Sequence, residues 1–342
     1  MKPCGILSVF GRDVLASGPR RRQRLLDEAF AYWRQQGFPY PVITRDQLTR
    51  EFNHLVLTRT DGSLRRHLLH PSVVGLRIAN AFHPHMWRVK VHGISAVERF
   101  QDDDVLRRVL MKACQFWPNR RCWNAQCLRS VMRVHHRQRI ANFRPFAAKA
   151  VIARFSRDGG RVLDFSAGFG GRLLGALALN RHYVGIDPAR PQVHGLRRMS
   201  RTLSGLAPGY AEIHRACAED LLPQLASSSM DLVFSSPPYF DLERYTNERT
   251  QSFKRYPTYP DWRDNFLAVS LRESQRLLRP KGYLVLNVCN TRRASLATDA
   301  LTLAANHLRL VQRLRLVMNA PPAARAGGRL YRHEPVYVFQ KV

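Results

Sequence analysis

Val162-Leu163-Asp164-Phe165-Ser166-Ala167-Gly168-Phe169-Gly170-Gly171-Arg172 is the stretch that decides the fold. An apolar run ends on an acid and enters a glycine-rich turn, and helical spacing takes over from residue 172. Glycines allow a tight turn and close approach of backbone to a nucleotide-like ligand, which in an open parallel sheet sits beyond the carboxyl edge of the strands. A dinucleotide dehydrogenase would need G-x-G-x-x-G, and Gly168-x-Gly170-Gly171 lacks the third glycine.

Around this turn, short apolar runs alternate with helical patterns, the signature of a parallel sheet with crossover helices. Strands are expected at 161–165, 182–186, 211–217, 230–235, 282–288, 308–317 and 335–340, and helices at 172–179, 193–203, 262–278 and 294–307. Upstream the texture is helical. Residues 20–36, 105–116 and 122–139 read as helices, the last carrying Arg129, Arg133, Arg137 and Arg139 with His135 and His136. The expected organisation is a basic, mainly helical N-terminal domain over 1–140 and an α/β domain over 141–342. The cluster Ala81-Phe82-His83-Pro84-His85-Met86-Trp87 fits a core and has no other assignment.

The net charge of the 342 residues is +30, with +17 before residue 150 and +13 after it, so the excess is not a detachable tail. A polyanionic partner is the natural inference, and a small-molecule enzyme would not need such a charge. Only seven of the 55 basic residues are lysines, and arginine adds bidentate phosphate and guanine contacts, although a GC-rich source also raises arginine. The six cysteines are scattered, which fits reduced thiols rather than a disulfide framework. Cys114, Cys122 and Cys127 with His135 and His136 match no paired zinc spacing, so no metal is expected. No stretch reaches the ~18 apolar residues of a membrane span, and residues 1–15 are too polar for a secretory signal. A cytoplasmic location without membrane attachment is expected.

Two further strand ends carry polar residues. Tyr183-Val184-Gly185-Ile186-Asp187-Pro188 places a carboxylate at the tip of the second strand, where it can accept both hydroxyl hydrogens of a ribose or cap the following helix. Asp231-Leu232-Val233-Phe234-Ser235-Ser236-Pro237-Pro238-Tyr239-Phe240 runs off the fourth strand into Ser-Pro-Pro-Tyr. A base amino group that accepts a methyl needs hydrogen-bond acceptors for its two N–H bonds and an aromatic face for the flipped base. Ser236, the Pro237 carbonyl and Tyr239 supply them, and Pro237 and Pro238 stiffen the loop before the base arrives.

With these motifs, the chain from about residue 142 to its end resembles the amino-group (N4-cytosine/N6-adenine) DNA methyltransferases, whose glycine-rich loop and D/N/S-P-P-Y/F/W loop match residues 164–171 and 236–239. The resemblance implies a seven-stranded Rossmann-like methyltransferase sheet, S-adenosyl-L-methionine as cofactor, and direct methyl transfer without a covalent enzyme intermediate. The cofactor residues it implies are Asp164, Ser166, Ala167, Gly168, Phe169, Gly170, Asp187 and Ser235, with Glu219 or Asp220 meeting the adenine. Ser236, Pro237, Pro238 and Tyr239 are the implied catalytic residues. Ser-Pro-Pro-Tyr looks like the N4-cytosine subgroup, and Asp-Pro-Pro-Tyr is more usual for N6-adenine. Phe165 and Ser166 stand where the family commonly has Pro and Phe, which makes Phe169 the candidate for the apolar cofactor contact. Asn142-Phe143-Arg144-Pro145 resembles the segment that closes over the methionine end of the cofactor.

No room follows the last strand for a target-reading domain, so target recognition falls to the basic N-terminal half. The loops 241–261 and 321–332 flank it. Lys254, Arg255, Tyr256 and Tyr259 interleave charge with rings, which suits phosphate and base contacts or an active-site lid packed inward. The competing functions are an RNA base methyltransferase acting on rRNA or tRNA, and a silent nucleic-acid-binding protein with this fold. No cysteine lies in the Pro-Pro-Tyr loop, which argues against C5-cytosine chemistry.

Overall fold

The computed structural model describes residues 5–61, 64–65, 67–69, 72–90, 93–135, 142–242, 244–291, 294–317 and 333–342. The chain forms two compact units, Met1–Val42 with Pro84–Ile140 and Ile43–His83 with Ala141–Val342.

The first unit is helical. Pro19 opens helix Pro19–Gln36 at a position where its missing N–H leaves no hydrogen bond unmade, and Gly37 ends it at φ 74°. Asp102 caps helix Asp103–Phe116 by accepting from the Val105 amide. Trp33 and Trp123 are buried, and each indole N–H reaches a carbonyl: Trp33 Nε1 donates to Trp123 O at 3.1 Å and Trp123 Nε1 to Leu110 O at 3.0 Å. The helix expected over 122–139 is seen as Ala125–His135. His136, Arg137 and Arg139 lie outside the described residues. Cys114, Cys122 and Cys127 are buried, with the first two sulfurs 3.3 Å apart.

Among the described residues the second unit has nine strands: β1 (Leu64–Arg65), β2 (Leu68–Leu69), β3 (Arg161–Asp164), β4 (His182–Asp187), β5 (Tyr210–Arg215), β6 (Met230–Ser235), β7 (Leu278–Asn287), β8 (Arg309–Val317) and β9 (His333–Gln340). They lie in the order β1-β2-β8-β9-β7-β6-β3-β4-β5. The seven expected strands are all present, and of these β9 alone runs against its neighbours. The chain winds outward from β3 through β4 to β5 and then returns to β6 and β7 on the other side of β3. A topological switch point therefore lies between β3 and β6, where a crevice opens beyond the carboxyl ends.

Side chains alternate across this sheet. Val162, Tyr183, Leu232, Phe234, Val285, Val336 and Val338 line one core, and Leu163, Val184, Ile186, Val233, Leu284, Leu286 and Phe339 line the other. Helices Pro145–Phe155, Gly171–Leu177 and Arg190–Leu203 cover the first face. Ala268–Leu277 and Leu296–Ala305 cover the second.

Residues 43–83 pack on the first face through Leu48, Phe52, Leu55, Leu69, Ile78 and Phe82. The expectation had grouped them with the rest of 1–140. Buried Lys149 helps fix them: its ammonium donates to Leu55 O, Val56 O and Thr58 O at 2.8, 2.6 and 2.9 Å. Those carbonyls lie at the carboxyl end of helix Arg45–Leu57, where a cation is favoured. Among the described residues no helix is long and apolar enough to cross a membrane.

Candidate active site

The glycine-rich turn leaves β3 at Asp164, whose side chain is fully buried. Three side chains converge on its carboxylate besides the Ser166 amide. Arg172 donates from Nε at 2.6 Å and from Nη2 at 3.2 Å, Tyr183 Oη at 2.7 Å, and Ser235 Oγ at 2.9 Å. Arg172 also donates to Ser166 O, and its guanidinium lies over the Phe143 and Phe234 rings. Burial opposes the Arg172 charge, yet Asp164 holds its pKa above the ordinary guanidinium value. Burial pushes Tyr183 well above the usual phenol range, with the Asp164 charge adding to it. A buried pair satisfied on every side is held firmly, whereas either partner alone would be costly. Asp164 therefore ties β3, β4, β6 and the turn together.

Gly168 and Gly170 adopt φ of +55° and +78°, a region that glycine enters without strain. A side chain at Gly171 is excluded outright, because its Cβ would lie 1.8 Å from Phe143 O. The Asn142–Phe143 segment passes that close, and Asn142 Nδ2 donates to Phe169 O at 2.8 Å. The segment expected to close over the cofactor thus clasps the glycine-rich turn. On its outer side Gly168 borders open space: a Cβ there would meet only Ser166 O, at 3.7 Å. Ala167 is buried and its amide donates to Ile186 O. Phe169 is buried with its ring edge-on to His83 and Tyr245, at 5.9 and 5.7 Å.

Asp187 ends β4 and faces the same turn. Its Oδ2 accepts from the Gly168 amide and its Oδ1 from the Ala189 amide, both at 2.9 Å. The second contact braces the entry to helix Arg190–Leu203, whose N-cap is Ala189. Burial lifts the Asp187 carboxyl to about 7, against the pull of these two amides.

Beyond β5, Glu219 is buried and Asp220 exposed. This separates two residues that the sequence left equivalent. Burial raises the Glu219 pKa. Arg255 pairs with both, at 2.9 Å from Glu219 and 2.6 Å from Asp220.

In the stretch around Arg255 the rings pack inward, while Arg244, Arg249 and Lys254 stay exposed. Tyr256, Tyr259 and Phe240 pack against the second core, Tyr259 Oη donates to Asp299 at 2.6 Å, and Lys254 donates to Asn247 O. Phe240 and Tyr259 pack against the buried Trp262 ring because doing so removes their apolar surface from water. Of the flanking loops expected to meet nucleic acid, 321–332 lies outside the described residues.

The Ser-Pro-Pro-Tyr loop leaves β6 directly beside β3. Ser235 is spent on Asp164, while Ser236, Pro238 and Tyr239 are half-buried and Pro237 is buried. Tyr239 O accepts from the Leu242 amide at 3.1 Å, and Phe240 turns the chain at φ 54°. The loop and the Gly168 edge thus both stand at the carboxyl ends of adjacent parallel strands. Sequence reasoning gave no role to Arg172, Tyr183 or His83. The one available signal was the pairing of a charged residue at 172 with an acid eight positions before it.

No protein-family model matches the chain, and no curated protein matches it. Among solved structures it is similar to TrmN from Thermus thermophilus, at 15% identity over 88% of this chain and 80% of that one, with a TM-score of 0.41. It is similar to tRNA (m1A58) methyltransferase TrmI from Aquifex aeolicus, at 8% identity over 59% and 70%, with a TM-score of 0.40. PH0851 is similar at 13% identity and a TM-score of 0.42. The match covers 59% of this chain and spans about half of PH0851, 47%. Likenesses this distant decide neither substrate nor chemistry, which rest on the chain's own residues.

Proposed function

We propose that the chain is an S-adenosyl-L-methionine-dependent methyltransferase acting on an exocyclic amino group of a flipped base in nucleic acid, with DNA as the substrate and N4 of cytosine as the position. One observation carries the reading: the Ser236–Tyr239 loop and the open edge at Gly168 stand at the ends of neighbouring strands β6 and β3, on a chain of net charge +30.

The residues fit the cofactor. Gly168 and Gly170 leave the backbone approachable, Asp187 offers a carboxylate to ribose hydroxyls, and buried Glu219 offers one to the adenine amino group. Asp164 and Ser235 act through the shape of the turn, since their polar atoms already serve each other and Arg172. Ser166, Ala167 and Phe169 complete that turn. When bound, S-adenosyl-L-methionine supplies an electrophilic methyl group on a sulfonium.

The chain's own part is positioning and electrostatics. Ser236 Oγ and the Pro237 carbonyl accept the two N–H bonds of the amino group and turn its nitrogen lone pair toward the cofactor side. Tyr239 stacks on the base, and Pro237 with Pro238 holds both acceptors in place. The basic residues of 1–140, in this reading, dock the polyanion and read its sequence.

The test is transfer of labelled methyl groups to duplex DNA, single-stranded DNA and total RNA, followed by nucleoside mass spectrometry. N4-methylcytosine in DNA is the expected product. Label in RNA alone replaces DNA with the RNA reading, and cofactor binding without label in any nucleic acid leaves a binding role.

A further inference from the structure

Three polar residues outside the two motif loops, Asn287, Glu334 and Arg144, stand toward the carboxyl edge next to the Ser-Pro-Pro-Tyr loop. Register and alternation place them. Ser235 pairs with Leu286, so Asn287 comes beside Ser236. Tyr283 and Val285 of β7 face the first core, as do Leu232 and Phe234 of β6 and Val336 and Val338 of β9. Two residues further on each strand, toward the crevice, stand Asn287, Ser236 and Glu334. Arg144 joins them from the other side of that face: Phe143, its neighbour, sets its ring 5.3 Å from Phe234.

Their bonding leaves a directional set of groups. Asn287 is buried and its Nδ2 donates to Pro335 O at 3.1 Å. With that nitrogen donating to Pro335 O and the Glu334 carboxylate close to the same amide, Oδ1 is left as an acceptor. Glu334 in turn lies in the field of Arg144, and burial raises its pKa. Arg144 Nη1 is buried without a hydrogen-bond partner among the described residues. A guanidinium nitrogen in that condition is costly unless a ligand supplies an acceptor.

The acceptor follows from the chemistry of the bases. Next to its amino group cytosine presents two acceptors in a row, ring N3 and carbonyl O2. Adenine presents one, N1, followed by a C–H. We propose that Arg144, oriented by Glu334 and Asn287, donates to the N3 and O2 acceptors of the flipped cytosine whose amino group Ser236 holds, and so sets cytosine over adenine. This rests on the function proposed above. A planar two-pronged donor suits that edge, and a site built around such a bond rejects a partner lacking the acceptor by large factors.

The experiment compares wild type with Arg144→Met and Arg144→Lys on a random-sequence DNA pool, reading N4-methylcytosine against N6-methyladenine by mass spectrometry and cofactor affinity by calorimetry. Wild type should favour cytosine by 50-fold or more. In Arg144→Met that ratio should fall at least tenfold, with cytosine turnover reduced 10- to 100-fold and cofactor affinity held within twofold, which also shows that the variant is folded. Arg144→Lys, which keeps the charge but loses the fork, should fall between. An unchanged base ratio, or loss of cofactor affinity in its place, overturns the assignment of Arg144. Wild-type label in adenine alone, or in no base, instead removes the reading on which it rests.

Discussion

Asp187 offers the sharpest test of the cofactor half, because its carboxyl is held at about 7 by burial at the mouth of the crevice. A change from 3.8 to about 7 corresponds to roughly 4 kcal/mol of differential interaction. Its sign is fixed. The folded pKa lies above the unfolded one, so the folded chain binds the extra proton between pH 4 and 7. The stability that comes with that proton is present at low pH and lost as pH rises through 7. Most of the loss, about 3 kcal/mol, falls between pH 5 and 8. His83 works in the other direction, because burial lowers its pKa to about 4 and its stability is lost as pH falls through the unfolded value near 6.5. Wild type alone would therefore show partial cancellation. Asp187→Asn keeps His83, so subtracting the variant's stability from the wild type's isolates the carboxyl. The asparagine can still accept from one of the Gly168 and Ala189 amides, and the lost bond adds an offset that does not vary with pH. The measurement is urea unfolding followed by hydrogen exchange in β3 and β4, which reports the second unit alone. The wild-type-minus-variant difference should fall by about 3 kcal/mol from pH 5 to pH 8. Cofactor affinity should move with it: ribose hydroxyls need the ionised carboxylate, so wild-type binding should weaken about tenfold per pH unit below 7 while the variant stays flat. A stability difference constant to within about 0.5 kcal/mol would show that the carboxyl is hydrated and already ionised, and would refute the reasoning.

Arg172→Met should destabilise the second unit by about 3–5 kcal/mol, since Asp164 would remain buried without its cation, and adding Asp164→Asn should recover part of the loss. A single-variant loss below about 1 kcal/mol in denaturant unfolding would mean that the Arg172–Asp164 pair does not hold the turn together. Ser236→Ala and Tyr239→Ala should each lower turnover by about 10²-fold or more in the labelled-methyl assay, with cofactor affinity nearly unchanged. If either variant loses cofactor binding instead, the division between cofactor half and acceptor half is wrong.

The features that were legible in the sequence are those written in local chemistry. Strands β3 to β9 announce themselves by short apolar runs, the turn at 168–171 by its glycines, and the acceptor loop by two prolines, because each depends on neighbours within a few residues. Helix Pro145–Phe155 escaped notice for the opposite reason. Nine of its eleven residues are buried, so it has no polar face and no helical stripe to detect. Residues 43–83 read as part of the N-terminal half because chain proximity says nothing about Lys149, ninety positions away, reaching the carbonyls of 55–58. The site shows the same division at higher stakes. Asp164 looked like a ligand-binding carboxylate because it ends a strand before glycines, yet its oxygens are spent on Arg172, Tyr183 and Ser235, at separations of 8, 19 and 71 residues. A motif can therefore mark a place in the fold without showing which of its atoms would meet a ligand. The acid at the end of β3 shapes the turn through those bonds, and the acid at the end of β4, whose carboxyl burial lifts to about 7, is the one we propose for the ligand.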